Sequence, residues 1–191
     1  MTITLRFSTP NQWTETVLKN FDTFLNDHAA AEKKASGMAV SMLSHYPDRE
    51  ELVKAMIDLS IEEMTHFRDV VRLMMKRGLI LGPDEKDPYV NQFRKHLRKE
   101  SGEYFLDRLL TGGIIEARGC ERFALIGENH TDPTLARFYT TLASSEARHA
   151  NQFIELAELY FKNDTINTRL DELLDIEAKI VTELPFRAAL H

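Results

Sequence analysis

Two four-residue runs constrain this chain more than anything else in it: Glu63-Met64-Thr65-His66 and Glu146-Ala147-Arg148-His149. In each, a carboxylate and an imidazole stand three residues apart. On an α-helix, positions i and i+3 share a face, so both donors reach one small ion. Carboxylate oxygen with imidazole nitrogen suits iron or manganese better than metals that prefer sulfur. One such pair is an ordinary helix pattern. Here, however, Glu32 stands 31 residues before Glu63, and Glu116 stands 30 before Glu146. Some thirty residues make up half of a long helix, a turn and half of the next helix. Each outlying Glu therefore faces its own Glu-x-x-His across an antiparallel pair, and the pattern occurs twice.

Four Glu and two His in twofold register are the ligand set of a dinuclear carboxylate site inside a helical bundle. The predicted fold is all-α, a ferritin-like four-helix bundle with a long crossover between helices 2 and 3 and an additional C-terminal helix. The expected metal ligands are Glu32, Glu63, His66, Glu116, Glu146 and His149. The plainer alternative is a bundle whose polar residues pair with one another or face water.

Punctuation along the chain agrees with four long helices. Ser8-Thr9-Pro10 reads as a helix start, with a capping hydroxyl and then proline at the first helical position, followed by helical spacing from about Asn11 to His45. Pro47-Asp48 breaks that helix, and Asp48 with Glu51 reads as a capping box. The second helix runs to Arg77 and is closed by Gly78. Leu79 to Lys99 is the crossover, with a short helix starting near Pro88. A third helix is expected from about Ser101 to Gly127, and Asp132-Pro133 opens a fourth reaching about Phe161. A fifth segment, roughly Ile166 to Glu183, packs outside the bundle. With 191 residues, the chain is expected to form one domain, 1–191.

Composition excludes some classes. No apolar run approaches 20 residues, so no membrane span is expected, and the amino end lacks the long apolar centre of a signal peptide. A single cysteine, Cys120, excludes an internal disulfide and fits a reducing cytoplasm. The net charge of −6 argues against a nucleic-acid partner. Two ferrous ions would leave only about −2 on the holoprotein, so local patches decide.

Several residues around the six ligands bear on chemistry. Glu121 shares a helix with Glu116 but would break the repeat, so register favours Glu116. Gly112, Gly113, Gly119 and Cys120 lie a turn to either side of Glu116. They suggest either a pocket for dioxygen or substrate, or close helix packing. His28, His45, His96, His130 and His191 follow no ligand spacing and are expected at the surface or at caps. Met38, Met42, Met56, Met64, Met74 and Met75 are expected to fill the core. Arg68, Arg72 and Lys76 step along helix 2 away from His66, and Arg94, Lys95, Arg98 and Lys99 crowd the end of the crossover. Each group is either a solvated face or a phosphate-contacting rim around the active-site mouth.

Glu63-Met64-Thr65-His66, Glu146-Ala147-Arg148-His149 and the segment Glu116-Ala117-Arg118-Gly119-Cys120-Glu121-Arg122-Phe123 resemble the tRNA 2-methylthio-isopentenyladenosine hydroxylase family. The resemblance spans most of the chain, and the Glu-Ala-Arg-Gly-Cys-Glu-Arg-Phe segment is its most specific part. It implies a non-haem di-iron monooxygenase with two iron ions, dioxygen as co-substrate and an external electron donor, a reductase or ferredoxin. The implied substrate is an isopentenyl group on a modified adenosine beside the anticodon of a tRNA stem-loop. An iron- or peroxide-handling bundle, or an oxygenase acting on a hydrophobic small molecule such as an aldehyde, would share the ligands. Monomer and small homo-oligomer remain open.

Overall fold

The computed structural model describes residues 2–191; the expected domain, 1–191, starts one residue outside them. The described residues form seven helices and no strand: α1 (Asn11–Lys19), α2 (Phe21–His45), α3 (Glu50–Lys76), α4 (Pro88–Arg94), α5 (Ser101–Asn129), α6 (Pro133–Tyr160) and α7 (Asn163–Glu183). None of these helices is long and apolar enough to cross a membrane. The helices fall into two compact units. One holds residues 15–85 and 187–190; the other holds residues up to 14, 86–186 and 191.

The first unit is built on α2 and α3. They run antiparallel, as three contacts show. Arg77 pairs with Asp22 near the open end, the Lys33 ammonium lies 5.9 Å from the Phe67 ring, and Ser36 Oγ donates to Ser60 O at 2.8 Å. Apolar side chains of this pair form its core: Phe24, Leu25, Met42, Leu52, Met56, Leu59, Val70 and Met74 are each at most 2% exposed. Each such side chain contributes about 1.5–3 kcal/mol by leaving water. Helix α3 ends as expected. Gly78 adopts φ +74°, its N–H donates to Met75 O, and Leu79 N–H donates to Met74 O. That closure needs a left-handed residue, which glycine adopts without a Cβ penalty.

Three expectations about helix ends and one about the core are corrected here. The first helix is not continuous from Asn11 to His45, because Asn20 leaves helical geometry and separates α1 from α2. Asn20 turns its side-chain amide back to Thr16 O at 2.9 Å, the local competition that makes Asn a poor helix-interior residue. Thr9 does not cap α1; its N–H and hydroxyl both donate to Glu121. Asp48 and Glu51 form no capping box, since α3 begins one residue later, behind Arg49, with no side-chain cap. Met64 and Met75 are exposed rather than core.

In the second unit, α5 and α6 run antiparallel with glycine at close approaches. A Cβ on Gly112 would lie 3.0 Å from the Phe153 ring, and one on Gly113 would lie 3.3 Å from Ala150 O. Asp132 caps α6 by accepting Thr134 N–H, with Pro133 at the first helical position. Asp87 caps α4 in the same way, accepting from Tyr89 and Val90 N–H. The C-terminal α7 packs on α5 and α4. Buried Asp107 of α5 ties it down: its carboxylate accepts from Arg169 of α7 and from Arg98 at the end of the crossover.

Candidate metal centre

The α2–α3 pair brings three predicted ligands together. One donor atom each of Glu32, Glu63 and His66 lie within 4.8 Å of one another. His66 Nδ1 is 3.3 Å from Glu63 Oε2 and 3.6 Å from Glu32 Oε2. Glu63 and His66 come from one turn of α3, as the i, i+3 spacing requires, and Glu32 arrives from α2. Both carboxylates are buried. Burial alone would push the His66 imidazole down, but its hydrogen bonds with Glu32 and Glu63 outweigh that and raise its pKa to about 10. Burial likewise works to raise the Glu32 carboxyl, yet His28 and His66 hold it well below the usual carboxylate range. The pair thus gathers two buried carboxylates around one imidazole.

The α5–α6 pair repeats the arrangement. One donor atom each of Glu116, Glu146 and His149 lie within 4.8 Å of one another, and all three residues are buried. His149 Nδ1 stands 3.9 Å from Glu116 Oε2. Each pair therefore offers two carboxylates and one imidazole. Hard oxygen donors with a borderline nitrogen fit iron or manganese. Carboxylates buried at this depth are costly without a compensating cation, so the donor chemistry fits a metal centre.

Comparison with known proteins places the chain. The family model described as tRNA-(MS[2]IO[6]A)-hydroxylase (MiaE) matches residues 1–191. The chain belongs to this family. It is 39% identical over 152 residues to the tRNA 2-(methylsulfanyl)-N(6)-isopentenyladenosine(37) hydroxylase of Pseudomonas putida, covering 80% of this chain and 74% of that protein. A hydroxylase of the same name from Salmonella typhimurium is 31% identical over 155 residues, 81% of this chain and 56% of its own length. Among solved structures, a Synechococcus protein with aldehyde deformylating oxygenase activity matches with TM-score 0.93 and 34% identity, over 98% of this chain and 94% of that one. The fold is all-α and ferritin-like.

The segment that carried the family resemblance proves to have divided duties in this MiaE-family chain. Glu116 faces Glu146 and His149. Two residues on, the Arg118 guanidinium is wholly buried and donates to Glu177 of α7, Phe7 O, Thr9 Oγ1 and Glu121. Arg122 lies 4.9 Å from the Trp13 ring. Burial and the neighbouring Arg118 charge lower its pKa to about 10. Arg118, Glu121 and Arg122 therefore anchor the amino-terminal segment to α5. Cys120 is half-buried, and burial with nearby Glu121 pushes its thiol up.

The remaining candidates separate by environment. Gly112 and Gly113 serve packing against Phe153 and Ala150, whereas a Cβ on Gly119 would sit 3.6 Å from Glu146 Oε2, an ordinary approach beside a predicted ligand. Arg68, Arg72, Lys76, Arg94, Lys95 and Lys99 are exposed. Arg98 is committed to Asp107 and Glu103. Among the other histidines, His45 and His96 are exposed, and His130 Nδ1 accepts Asp132 N–H. His191 pairs with Asp87 and stacks on Tyr89 at 4.8 Å. His28 is a correction. It is wholly buried, with Nε2 2.6 Å from Glu32 Oε1. Its position on the apolar face, four residues from Phe24 and from Glu32, was the signal that ligand spacing passed over.

Proposed function

We propose that the two half-sites make one dinuclear iron centre on Glu32, Glu63, His66, Glu116, Glu146 and His149, within a single catalytic domain spanning 1–191. The enzyme is a dioxygen-dependent tRNA hydroxylase acting on the isopentenyl side chain of 2-methylthio-isopentenyladenosine next to the anticodon. The family match runs across residues 1–191 and so takes in all six donors, and this observation carries the assignment.

Two iron ions, when bound, supply the redox chemistry that activates dioxygen. The chain's own residues do the rest. The buried carboxylates and imidazoles hold the metal positions away from water. Gly119 leaves the side of Glu146 open for substrate or dioxygen, with Cys120 on the next position. Exposed Arg68, Arg72 and Lys76, with Arg94, Lys95 and Lys99, contact tRNA phosphates, and the modified base is splayed from its loop to reach the site. The reaction replaces one C–H of a terminal methyl by C–OH. The second oxygen atom leaves as water, with two electrons and two protons from an external reductase or ferredoxin. The enzyme works in the cytoplasm, where that donor and tRNA are found.

The likeness to the Synechococcus protein favours a second reading, an oxygenase acting on an aldehyde or fatty chain. It would use the same ligands without tRNA. The test is iron content together with turnover: reduced protein, dioxygen and an anticodon stem-loop carrying the modified adenosine, beside a parallel assay on a long-chain aldehyde. About two irons per chain and a hydroxylated adenosine are expected. Aldehyde turnover with untouched stem-loop moves the assignment to the second reading. Protein that binds no metal after reconstitution overturns both.

A further inference from the structure

We propose that His28 is a positioning residue for the metal centre, donating Nε2–H to Glu32 Oε1 so that Glu32 presents only Oε2 to a metal. The inference rests on the assignment of Glu32 as an iron ligand. Three observations carry it. His28 is wholly buried, and its Nε2 is 2.6 Å from Glu32 Oε1. The other oxygen of the same carboxylate, Oε2, is the one that lies 3.6 Å from His66 Nδ1. The two oxygens thus have separate duties, one toward the protein and one toward the ligand cluster. Finally, the His28 ring is itself held, its centroid 5.7 Å from that of buried Phe24.

Phe24, His28 and Glu32 step by four along α2 and so form one ridge on its buried face. A carboxylate oxygen accepts and a ring N–H donates, so in this assignment the proton between the two atoms, 2.6 Å apart, is carried by His28 Nε2. A carboxylate that bound a metal through Oε2 alone would occupy one coordination position rather than two. That leaves a position for an exogenous ligand, which a catalytic metal needs and a closed structural one does not. Partners of this kind orient ligands, and their loss costs roughly 10–100-fold in metal affinity.

Cobalt(II) titration of the full chain, followed by its d–d absorption, tests the assignment. His28→Leu removes the donor, His28→Gln keeps an N–H near the same place, and Glu32→Ala removes the ligand. The expected result is a loss of roughly 10–100-fold in one of two cobalt affinities for H28L, with an altered absorption band, and recovery of most of both in H28Q. A residue that merely filled space would lower the melting temperature of H28L and leave the cobalt band unchanged. Wild-type affinity and band in H28L, or H28Q no better than H28L, would overturn the inference. E32A that still binds two cobalt ions with wild-type affinity would instead remove Glu32 from the ligand set, a distinguishable failure. Should H28L fail to fold, a long-range 1H–15N spectrum of the zinc-loaded wild-type chain decides: an Nε2–H tautomer for His28 is required, and an Nδ1–H tautomer rejects the proposal.

Discussion

Buried carboxylates in this chain differ in the side chains they face. Asp107 and Glu177 face guanidinium groups, those of Arg98 and Arg169 and that of Arg118 respectively. Glu32 and Glu63 face His66, and Glu116 faces His149. Arginine stays charged at any pH the protein meets, so the first group is locked into structure. An imidazole can surrender its proton to a metal, so the second group can exchange partners. Breaking a locked pair leaves an uncompensated buried charge. Arg118→Met is therefore expected to lose about 3–5 kcal/mol in urea unfolding, and Arg118→Met with Glu177→Leu less than the two single changes combined. Acid adds a second test. Burial works to raise the Asp87 carboxyl, but His191 and the first N–H groups of α4 outweigh it and hold its pKa at about 2, against 3.8 unperturbed. A depressed carboxyl stabilises the fold above its unfolded pKa and loses that contribution as pH falls through the folded value. About 2 kcal/mol should thus drain away between roughly pH 4 and pH 2, and Asp87→Asn should flatten that part of the curve.

Among the helices, α5 shows why glycines of one stretch are not equivalent. A Cβ on Gly113 would meet Ile3 Cδ1 at 2.9 Å and the backbone oxygen of Ala150 at 3.3 Å, and the latter cannot rotate away. Gly113→Ala should destabilise by roughly 1–2 kcal/mol, overpacking outweighing the helix propensity of alanine. Gly119→Ala meets only ordinary van der Waals neighbours, so it should raise stability by up to about 1 kcal/mol while changing dioxygen turnover. Melting temperature and turnover for both variants check this. A Gly119→Ala that loses stability as Gly113→Ala does would return Gly119 to packing. Helix termini were readable wherever proline, aspartate or a left-handed glycine set them: Asp87-Pro88, Asp132-Pro133 and Gly78. The break at Asn20 was hidden because apolar spacing continues through it, from Trp13 and Val17 to Phe21 and Phe24.

For the chain taken together, charge and metal act jointly. With a net charge of −6, tRNA binding has to come from local arginines and lysines rather than from overall attraction. In the free protein both Arg68 and Arg72 touch Asp69, at 3.3 and 3.2 Å. Replacing the two arginines by glutamine should raise KM for the stem-loop with kcat unchanged. The salt dependence should also become shallower, by about 0.7–0.9 in log–log slope for every phosphate that is no longer neutralised. A metal that binds only the folded chain adds to its stability. Chelation should lower the melting temperature, and restored iron should recover it, by about 2.7 kcal/mol at a hundredfold excess over Kd.

The grouping of Glu32 with Glu63 and His66, and of Glu116 with Glu146 and His149, was legible in the amino-acid order because an i, i+3 pair and a thirty-residue register follow from helix geometry alone. Any chain keeping Glu32, Glu63 and His66, or Glu116, Glu146 and His149, on antiparallel neighbours must bring them level. The all-α class and the crossover followed from the same periodicity. Other roles depended on neighbours remote in sequence. His28 looks like any surface histidine until its ring is found wholly buried against Phe24 and Glu32. Arg118 and Glu121 sit within the segment that carried the family resemblance, yet Thr9, Phe7 and Glu177 make them anchors. Gly112 and Gly113 spend their missing side chains on Phe153, while Gly119, a few residues on, lies beside Glu146. Periodicity reports which face a residue occupies; only packing specifies which atom of another element meets it there.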